Sequence, residues 1–320
     1  MAPTALILGV SGQDGAYLAA LLLAKGYVVH GTSRDHEASS FRNLATLGVR
    51  DRVTLHSASL NDFRSVIRVF DRVRPDEIYN LAGQTSVGLS FDMPVETFES
   101  ISVATLNILE SIRFLKRPIR LFNAASSECF GNTPVPADED APFRPRSPYA
   151  AAKAAAFWTV ANYREAYGMY ACSGILFNHE SPLRLGRFVT RKIVATAVRI
   201  AEGGGEHLTL GDLSIARDWG WAPEYAEAMH LMLRQDEPRD LVIATGHSIR
   251  LEDFVDLAFR ELGLSWREHV TVDPHLFRPA EIQVSVGDPA LAEATLGWRA
   301  RTLVEDVVAK LIASERRTPR

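Results

Sequence analysis

Tyr149 and Lys153 stand four residues apart in the stretch Arg146-Ser147-Pro148-Tyr149-Ala150-Ala151-Ala152-Lys153. On a helix such residues share a face, with β-carbons about 5–6 Å apart. Ser147 is a good N-cap and Pro148 suits the first helical position, so a helix is predicted to begin here. A nearby ammonium favours phenolate, and Lys153 is expected to lower the tyrosine pKa from its ordinary value of about 10. Tyr149 would then serve as an acid/base for proton exchange with a carbinol hydroxyl. Upstream, an apolar run ends in Ala124-Ala125-Ser126-Ser127-Glu128. Ser126 offers a hydroxyl that can bond a substrate oxygen beside Tyr149. Glu128 is the unusual member. Exchange at one carbinol needs no carboxylate, but abstraction of a second proton, from a carbon acidified by a neighbouring ketone, does. The bland alternatives are a core tyrosine beside a surface lysine and a capping or ion-pairing glutamate.

These residues need a frame, and the rest of the chain supplies one. Ala5–Leu8, Val28–Thr32, Val53–His56, Glu77–Leu81, Ile119–Ala124 and Ser173–Phe177 read as short buried strands. Helical periodicity fills the intervals at Tyr17–Lys25, Asp62–Val73, Val103–Phe114 and Tyr149–Tyr167. Strand–helix alternation of this kind predicts an α/β fold, a Rossmann-type doubly wound parallel sheet covered by helices on both faces. After Phe177 the pattern loosens. Asn178–Arg187 reads as a polar loop, followed by helices near Thr190–Ala201, Tyr225–Leu233, Leu251–Leu262 and Leu303–Ser314. The expected division is a dinucleotide-binding domain over residues 1–177 and a smaller mixed α/β substrate domain over 178–320. Part of 212–245 is expected to return to the first domain.

The turn after the first strand, Gly9-Val10-Ser11-Gly12-Gln13-Asp14-Gly15, is rich in glycine and opens the first helix. Such glycines permit a tight turn and a close backbone approach to a pyrophosphate, whose charge a helix N-terminus favours. The cofactor-binding set expected here is Gly9, Ser11, Gly12, Gln13, Asp14 and Gly15. The second strand ends Gly31-Thr32-Ser33-Arg34-Asp35. Ser33 stands where an NAD enzyme places its acid, and Arg34 can pair with a 2′-phosphate, which favours NADP. Asp35 lies about 20 residues after the third glycine, as the NAD fingerprint asks, so NAD remains the alternative.

Composition narrows the remaining classes. Over 320 residues, 47% are hydrophobic and 23% charged, the balance of a packed globular chain rather than a disordered one. A formal net charge of -4 gives no reason to expect nucleic acid or an anionic membrane as partner. Two cysteines, Cys129 and Cys172, are too few for a disulfide framework, and no Cys/His cluster has metal-ligand spacing. The start of the chain carries no leader-like pattern and no apolar run is long enough to span a bilayer, so a cytoplasmic protein is expected.

Gly9–Gly15, Asn80-Leu81-Ala82-Gly83-Gln84, Ser126-Ser127-Glu128 and the Tyr149/Lys153 pair together resemble the extended short-chain dehydrogenase/reductase superfamily. Asn162–Gly168, Gly174–Pro182, Phe188–Lys192, Arg217–Gly220 and Phe277–Glu281 are similar to the GDP-mannose 4,6-dehydratase family within it. The resemblance covers nearly the whole chain and implies an internal redox cycle on a GDP-sugar, a hydro-lyase reaction of deoxysugar biosynthesis. In that cycle NADP takes hydride from C4 of the hexose while Tyr149, with Lys153 and Ser126, takes the hydroxyl proton. Glu128 removes the C5 proton as the C6 hydroxyl leaves, and the hydride returns to C6.

The same resemblance implies further cofactor contacts at Leu81, Ala82, Gly83, His179 and Arg184. It implies a nucleotide-sugar site lined by Thr85, Ser127, Asn178, Val189, Lys192, Leu210, Arg217, Arg278 and Glu281. It also implies a homodimer or homotetramer, with the helices at Val103–Phe114 and Tyr149–Tyr167 as the expected contact surface. Four features depart from the family pattern: Ser126 for a threonine, Asp35 for a second arginine, Ser59 for an aspartate, and the loop Pro182–Arg187. The alternatives are a dehydratase of another GDP-hexose or heptose, a related GDP-sugar reductase or epimerase, and, more remotely, a non-catalytic dinucleotide-binding regulator. Glu128 speaks against the reductase and epimerase, which do not need a C5 base.

Overall fold

The computed structural model describes residues 2–317; Met1 and residues 318–320, the outer ends of the two expected domains, lie outside the described residues. The first half runs β1 (Thr4–Leu8), α1 (Gln13–Ala24), β2 (Val28–Ser33), α2 (Arg42–Thr46), β3 (Thr54–Ser57), α3 (Phe63–Val73) and β4 (Glu77–Asn80). It continues with α4 (Val87–Asp92), α5 (Pro94–Phe98), α6 (Ala104–Leu115), β5 (Arg120–Ser126), α7 (Pro148–Tyr167) and β6 (Ala171–Leu176). A π-helical turn, Glu99–Val103, joins α5 to α6.

The second half holds β7 (Asn178–Glu180), α8 (Val189–Ala201), β8 (Leu208–Leu210), β9 (Ala216–Trp221), α9 (Ala222–Met232) and β10 (Leu241–Ile243). Then follow β11 (Ser248–Arg250), α10 (Leu251–Arg260), β12 (Val270–Val272), β13 (Val284–Ser285), α11 (Ala290–Leu296) and α12 (Val304–Arg317).

Seven strands form one parallel sheet in the order β10-β6-β5-β4-β1-β2-β3. This is the Rossmann arrangement, and the order reverses between β1 and β4, where such sheets open a ligand crevice at the carboxyl ends of their strands. Burial on both faces explains why these strands read as unbroken apolar runs rather than as alternating ones. Ala5, Leu6, Ile7 and Leu8 of β1 are all fully buried. Ala5 and Ile7 join a core with Leu18, Leu22, Tyr225 and Met229 of α1 and α9. Leu6 and Leu8 join the opposite core with Val66, Phe70, Ile108 and Leu109 of α3 and α6. Truncating such a leucine to alanine costs about 2–5 kcal/mol, so the two cores fix the sheet and hence the crevice.

The C-terminal half builds a smaller sheet on β9, with β11 antiparallel on one side and β13 and β7 parallel to it. A separate pair, β8 with β12, lies alongside. Helices α8, α10 and α12 bury Ile193, Phe254 and Val308 in a common core. This half also sends β10 to the edge of the large sheet, where Leu241–Ile243 pair with Gly174–Leu176 of β6.

Two expectations change. Residues 178–187 are not all loop, because Asn178-His179-Glu180 form β7 against Trp219–Trp221. Their polar side chains carry no strand pattern. The strand is imposed by pairing with β9 and by buried partners for His179 and Glu180. Helix α1 begins at Gln13 rather than Tyr17, since Gly12 is its extended N-cap and the first turn has no apolar periodicity to signal it.

Candidate active site

The glycine-rich turn is shaped by three different demands. Gly9 has φ +85, and a β-carbon there would meet Ala82 Cα and the Leu81 carbonyl at 2.9 Å. A β-carbon on Gly15 would meet the Gly9 carbonyl at 2.6 Å and Val10 Cα at 2.7 Å, so α1 packs on β1 only through glycine. At Gly12 the nearest atom would be 3.4 Å away, which leaves that backbone approachable. No side chain caps the first turn of α1. A helix N-terminus without a cap, at the reversal point of a parallel sheet, fits the diphosphate of a dinucleotide. Gln13 is held by Ser181 and by the His179 carbonyl, which ties the turn to the C-terminal half.

At the end of β2, Asp35 accepts from the backbone N–H groups of Glu37 and Ala38 at 3.0 and 3.3 Å. Its carboxylate is thus engaged within its own loop. Ser39 donates to the Asp35 carbonyl and to Ser33 Oγ. Arg34 is 89% exposed and lies 3.9 Å from Glu96.

Helix α7 is started as its sequence asks: Ser147 Oγ accepts from Ala150 N at 3.0 Å and Pro148 occupies the first turn. It presents Tyr149 and Lys153 to the end of β5, where Ser126 caps a short turn, Ser127–Cys129, by accepting from Glu128 N. Tyr149, Lys153, Ser126 and Glu128 line one cavity of about 340 Å³.

The electrostatics of the pair differ from the expectation. Lys153 Nζ donates to the Ala124 carbonyl at 2.7 Å and stands 5.9 Å from the centre of the Tyr149 ring. Burial raises the Tyr149 phenol above its ordinary value, and the hydrogen bond from Ser126 only partly opposes this. Burial also brings Lys153 down to about 8. Desolvation disfavours both charged forms and outweighs the pairwise attraction counted from spacing alone. Burial likewise raises Glu128, against the pull of Arg217 and Arg278, and so makes it a stronger base than a solvated carboxylate.

Arg217 and Arg278 share one oxygen of Glu281, at 2.9 and 3.1 Å. Arg217 also donates to the Ile282 carbonyl at 2.8 Å. The two guanidiniums are therefore fixed beside Glu128 and leave further N–H groups for an anionic ligand. Thr85, Leu81, Ser127, Asn178, His179, Arg184 and Val189 line the same cavity. Ala82 lies against the glycine turn, and Gly83 turns the chain after β4 with φ +117.

Three expected substrate residues do not line it: Glu281, which instead holds the two arginines, Leu210 and Lys192. Leu210 is 2% exposed in the core of the smaller lobe. Lys192 donates to the Thr209 carbonyl at 2.7 Å and lines a neighbouring cavity. On α8 it lies in the turn after Val189 and Thr190, which take the positions at the catalytic cavity.

Sequence reasoning missed Glu180 and Thr190. Glu180 is buried, accepts from Thr190 Oγ1 at 2.7 Å and lies 3.3 Å from Arg184, which it orients while the guanidinium rests 3.9 Å above the Phe188 ring. The available signal was the spacing of four between Glu180 and Arg184, which marks a pair only on a regular element.

Comparison with known proteins identifies the family. The family profile described as GDP-mannose 4,6 dehydratase matches residues 6–311. The chain is 44% identical over 318 residues to GDP-mannose 4,6 dehydratase 1 of Arabidopsis thaliana, covering 96% of this chain and 88% of the relative. It is 44% identical over 338 residues to the GDP-mannose 4,6-dehydratase of Sinorhizobium fredii, covering 97% and 96%. Among solved structures, the UDP-glucose 4-epimerase of Thermus thermophilus in complex with NAD superposes with a TM-score of 0.86 at 26% identity, covering 99% of this chain and 100% of that one.

Proposed function

The chain belongs to the GDP-mannose 4,6-dehydratase family, and from that premise we propose that it converts GDP-mannose to GDP-4-keto-6-deoxymannose with NADP as its resident cofactor. The observation that carries the reading is the grouping of Tyr149, Ser126 and Glu128, whose basicity desolvation raises, in one cavity with Arg217 and Arg278. Tyr149 takes the proton of the C4 hydroxyl, with the Ser126 hydroxyl bonded to the same oxygen. NADP, held on the glycine turn, would supply the hydride acceptor for C4 and the hydride donor for C6. Lys153, anchored on the Ala124 carbonyl, holds the α7 face against the end of β5. The new C4 ketone acidifies C5, and Glu128 takes that proton. The C6 hydroxyl leaves as water with the proton that Glu128 took from C5, and the proton that Tyr149 took from the C4 hydroxyl is returned to C5 as C6 is reduced. Arg217 and Arg278 meet the diphosphate of the nucleotide sugar.

The preference for NADP is supported by the loop after β2. Asp35 spends its carboxylate on two backbone N–H groups, so no free acid waits for the ribose hydroxyls, while the hydroxyls of Ser33 and Ser39 meet at the end of β2 and Arg34, next in the chain, is exposed there. Assembly into a homodimer or homotetramer is supported by the apolar side chains left exposed on adjacent helices, Leu106 and Phe114 of α6 with Trp158 of α7. None of the helices among the described residues is long and apolar enough to cross a membrane.

Incubation of purified protein with GDP-mannose, with and without added NADP+, tests the whole reading. A product lighter by one water supports it. Absence of dehydration with GDP-mannose, while another GDP-hexose or a GDP-heptose is dehydrated, moves the substrate; absence with all of them overturns the activity.

A further inference from the structure

Beside the catalytic cavity lies a larger one, of about 720 Å³, between α2, the loop at 182–187, one face of α8 from Arg191 to Arg199 and the C-terminal end of α12. Among the described residues its walls carry Arg42, Arg184, Arg191, Lys192, Arg199 and Arg317 and no carboxylate. Carboxylates just outside it neutralise part of this charge: Glu315 pairs with Arg191, Glu206 with Arg199 and Glu180 with Arg184. Arg42, Lys192 and Arg317 have no ion-pair partner among the described residues. Arg191 Nη1 is, in addition, a buried N–H group without a hydrogen-bond acceptor. Gathering like charges around a concave space is unfavourable in an isolated chain, and clefts of one sign concentrate counter-ions. The size is that of a small-molecule site.

The cavity is not a continuation of the nucleotide-sugar site. Only Arg184 lines both, and Tyr149, Glu128, Arg217 and Arg278 belong to the other. It does abut the glycine-rich turn, since Asn43 donates to the Ser11 carbonyl at 3.1 Å. We infer that this cavity is a second anion site, built for a diphosphate group. Forked guanidiniums converging from three helices and the loop at 182–187 suit the adjacent oxygens of such a group better than a single point charge would. Both inorganic pyrophosphate and a nucleoside diphosphate carry that chemistry.

The test uses protein saturated with NADP, titrated calorimetrically with inorganic pyrophosphate and, separately, with GDP. The expected result is two classes of site for each ligand, one at Arg217 and Arg278 and the other lost with the variants below. If pyrophosphate binds and GDP fills only the catalytic site, the ligand is the inorganic ion. Arg42→Gln combined with Arg199→Gln should weaken the second site about tenfold or more, leaving NADP binding and turnover of GDP-mannose unchanged. Arg317→Gln, at an exposed position, gives the same direction of change independently of any effect on folding. Three results would overturn the inference: pyrophosphate binding that saturating NADP abolishes, affinity indifferent to both variants, and binding lost as protein concentration rises, which would make a second copy of the chain the occupant.

Discussion

The Asp14 carboxylate lies 3.1 Å from His179 Nε2, so a buried ion pair clasps the glycine-rich turn to β7. Burial alone would raise the carboxyl and lower the imidazole. Each partner reverses that for the other, and Asp14 is held at about 2 while His179 is raised above its ordinary value. The Asp14 contribution to stability is fully present above its unfolded pKa of 3.8 and is lost as pH falls towards 2. The His179 contribution is fully present below 6.5 and is lost as pH rises through its raised folded value. Between those limits, Asp14→Asn should lower stability by about 2 kcal/mol. Denaturant titrations at several pH values check this, and equal midpoints for variant and parent near pH 5 would refute it.

Glu128→Gln keeps the shape of the side chain and removes the base. Dehydration should fall by about 10²–10⁴-fold, the range for loss of a positioned acid/base, while oxidation at C4 persists. The sign of this is the absorbance of reduced nicotinamide rising and staying up after GDP-mannose is added. Normal dehydration by the variant would remove Glu128 from the mechanism.

Gly15→Ala places a methyl group within 3 Å of backbone atoms of Gly9 and Val10. Backbone cannot swing aside as a side-chain end can, so α1 must lift from β1. A stability loss of about 1–3 kcal/mol is expected, together with weaker cofactor binding. Gly26→Ala serves as a comparison: its β-carbon would meet nothing within 4 Å, and its φ of +83 makes it a test of backbone strain without the clash. Full cofactor affinity in the Gly15 variant would contradict the packing argument.

Arg34→Ala should weaken NADP by about tenfold and leave NAD nearly unchanged, because a guanidinium adds energy only where the 2′-phosphate is present. Fluorescence titration with the two reduced cofactors measures the ratio directly. Equal losses for both would move Arg34 from the 2′-phosphate to some shared part of the dinucleotide.

Much of this was legible in the sequence, for identifiable reasons. The strands of the large sheet are buried on both faces and announce themselves as apolar runs. Ser147-Pro148 marks the start of α7 by local chemistry alone, and the glycine spacing marks the turn. What escaped was set by distant partners. β7 is three polar residues whose strand exists because β9 lies beside it, and no periodicity encodes that. The standing of Lys153 could not be read from its spacing to Tyr149, because the Ala124 carbonyl that captures its ammonium belongs to β5, distant in the chain. Lys192 sits in the expected helix, yet helical rotation turns it to the adjoining cavity. Asp14 and His179 were each named from motifs, but nothing in the sequence says that they are partners.

The seventh strand of the large sheet has a consequence for how the chain is made. β6 is buried along its whole length, and its outer edge is covered only by Leu241–Ile243, far further along the chain. Until that segment emerges from the ribosome, the nascent N-terminal half carries a bare apolar strand edge of the kind that recruits other chains. Truncation products ending before Leu241 should therefore be found in the insoluble fraction.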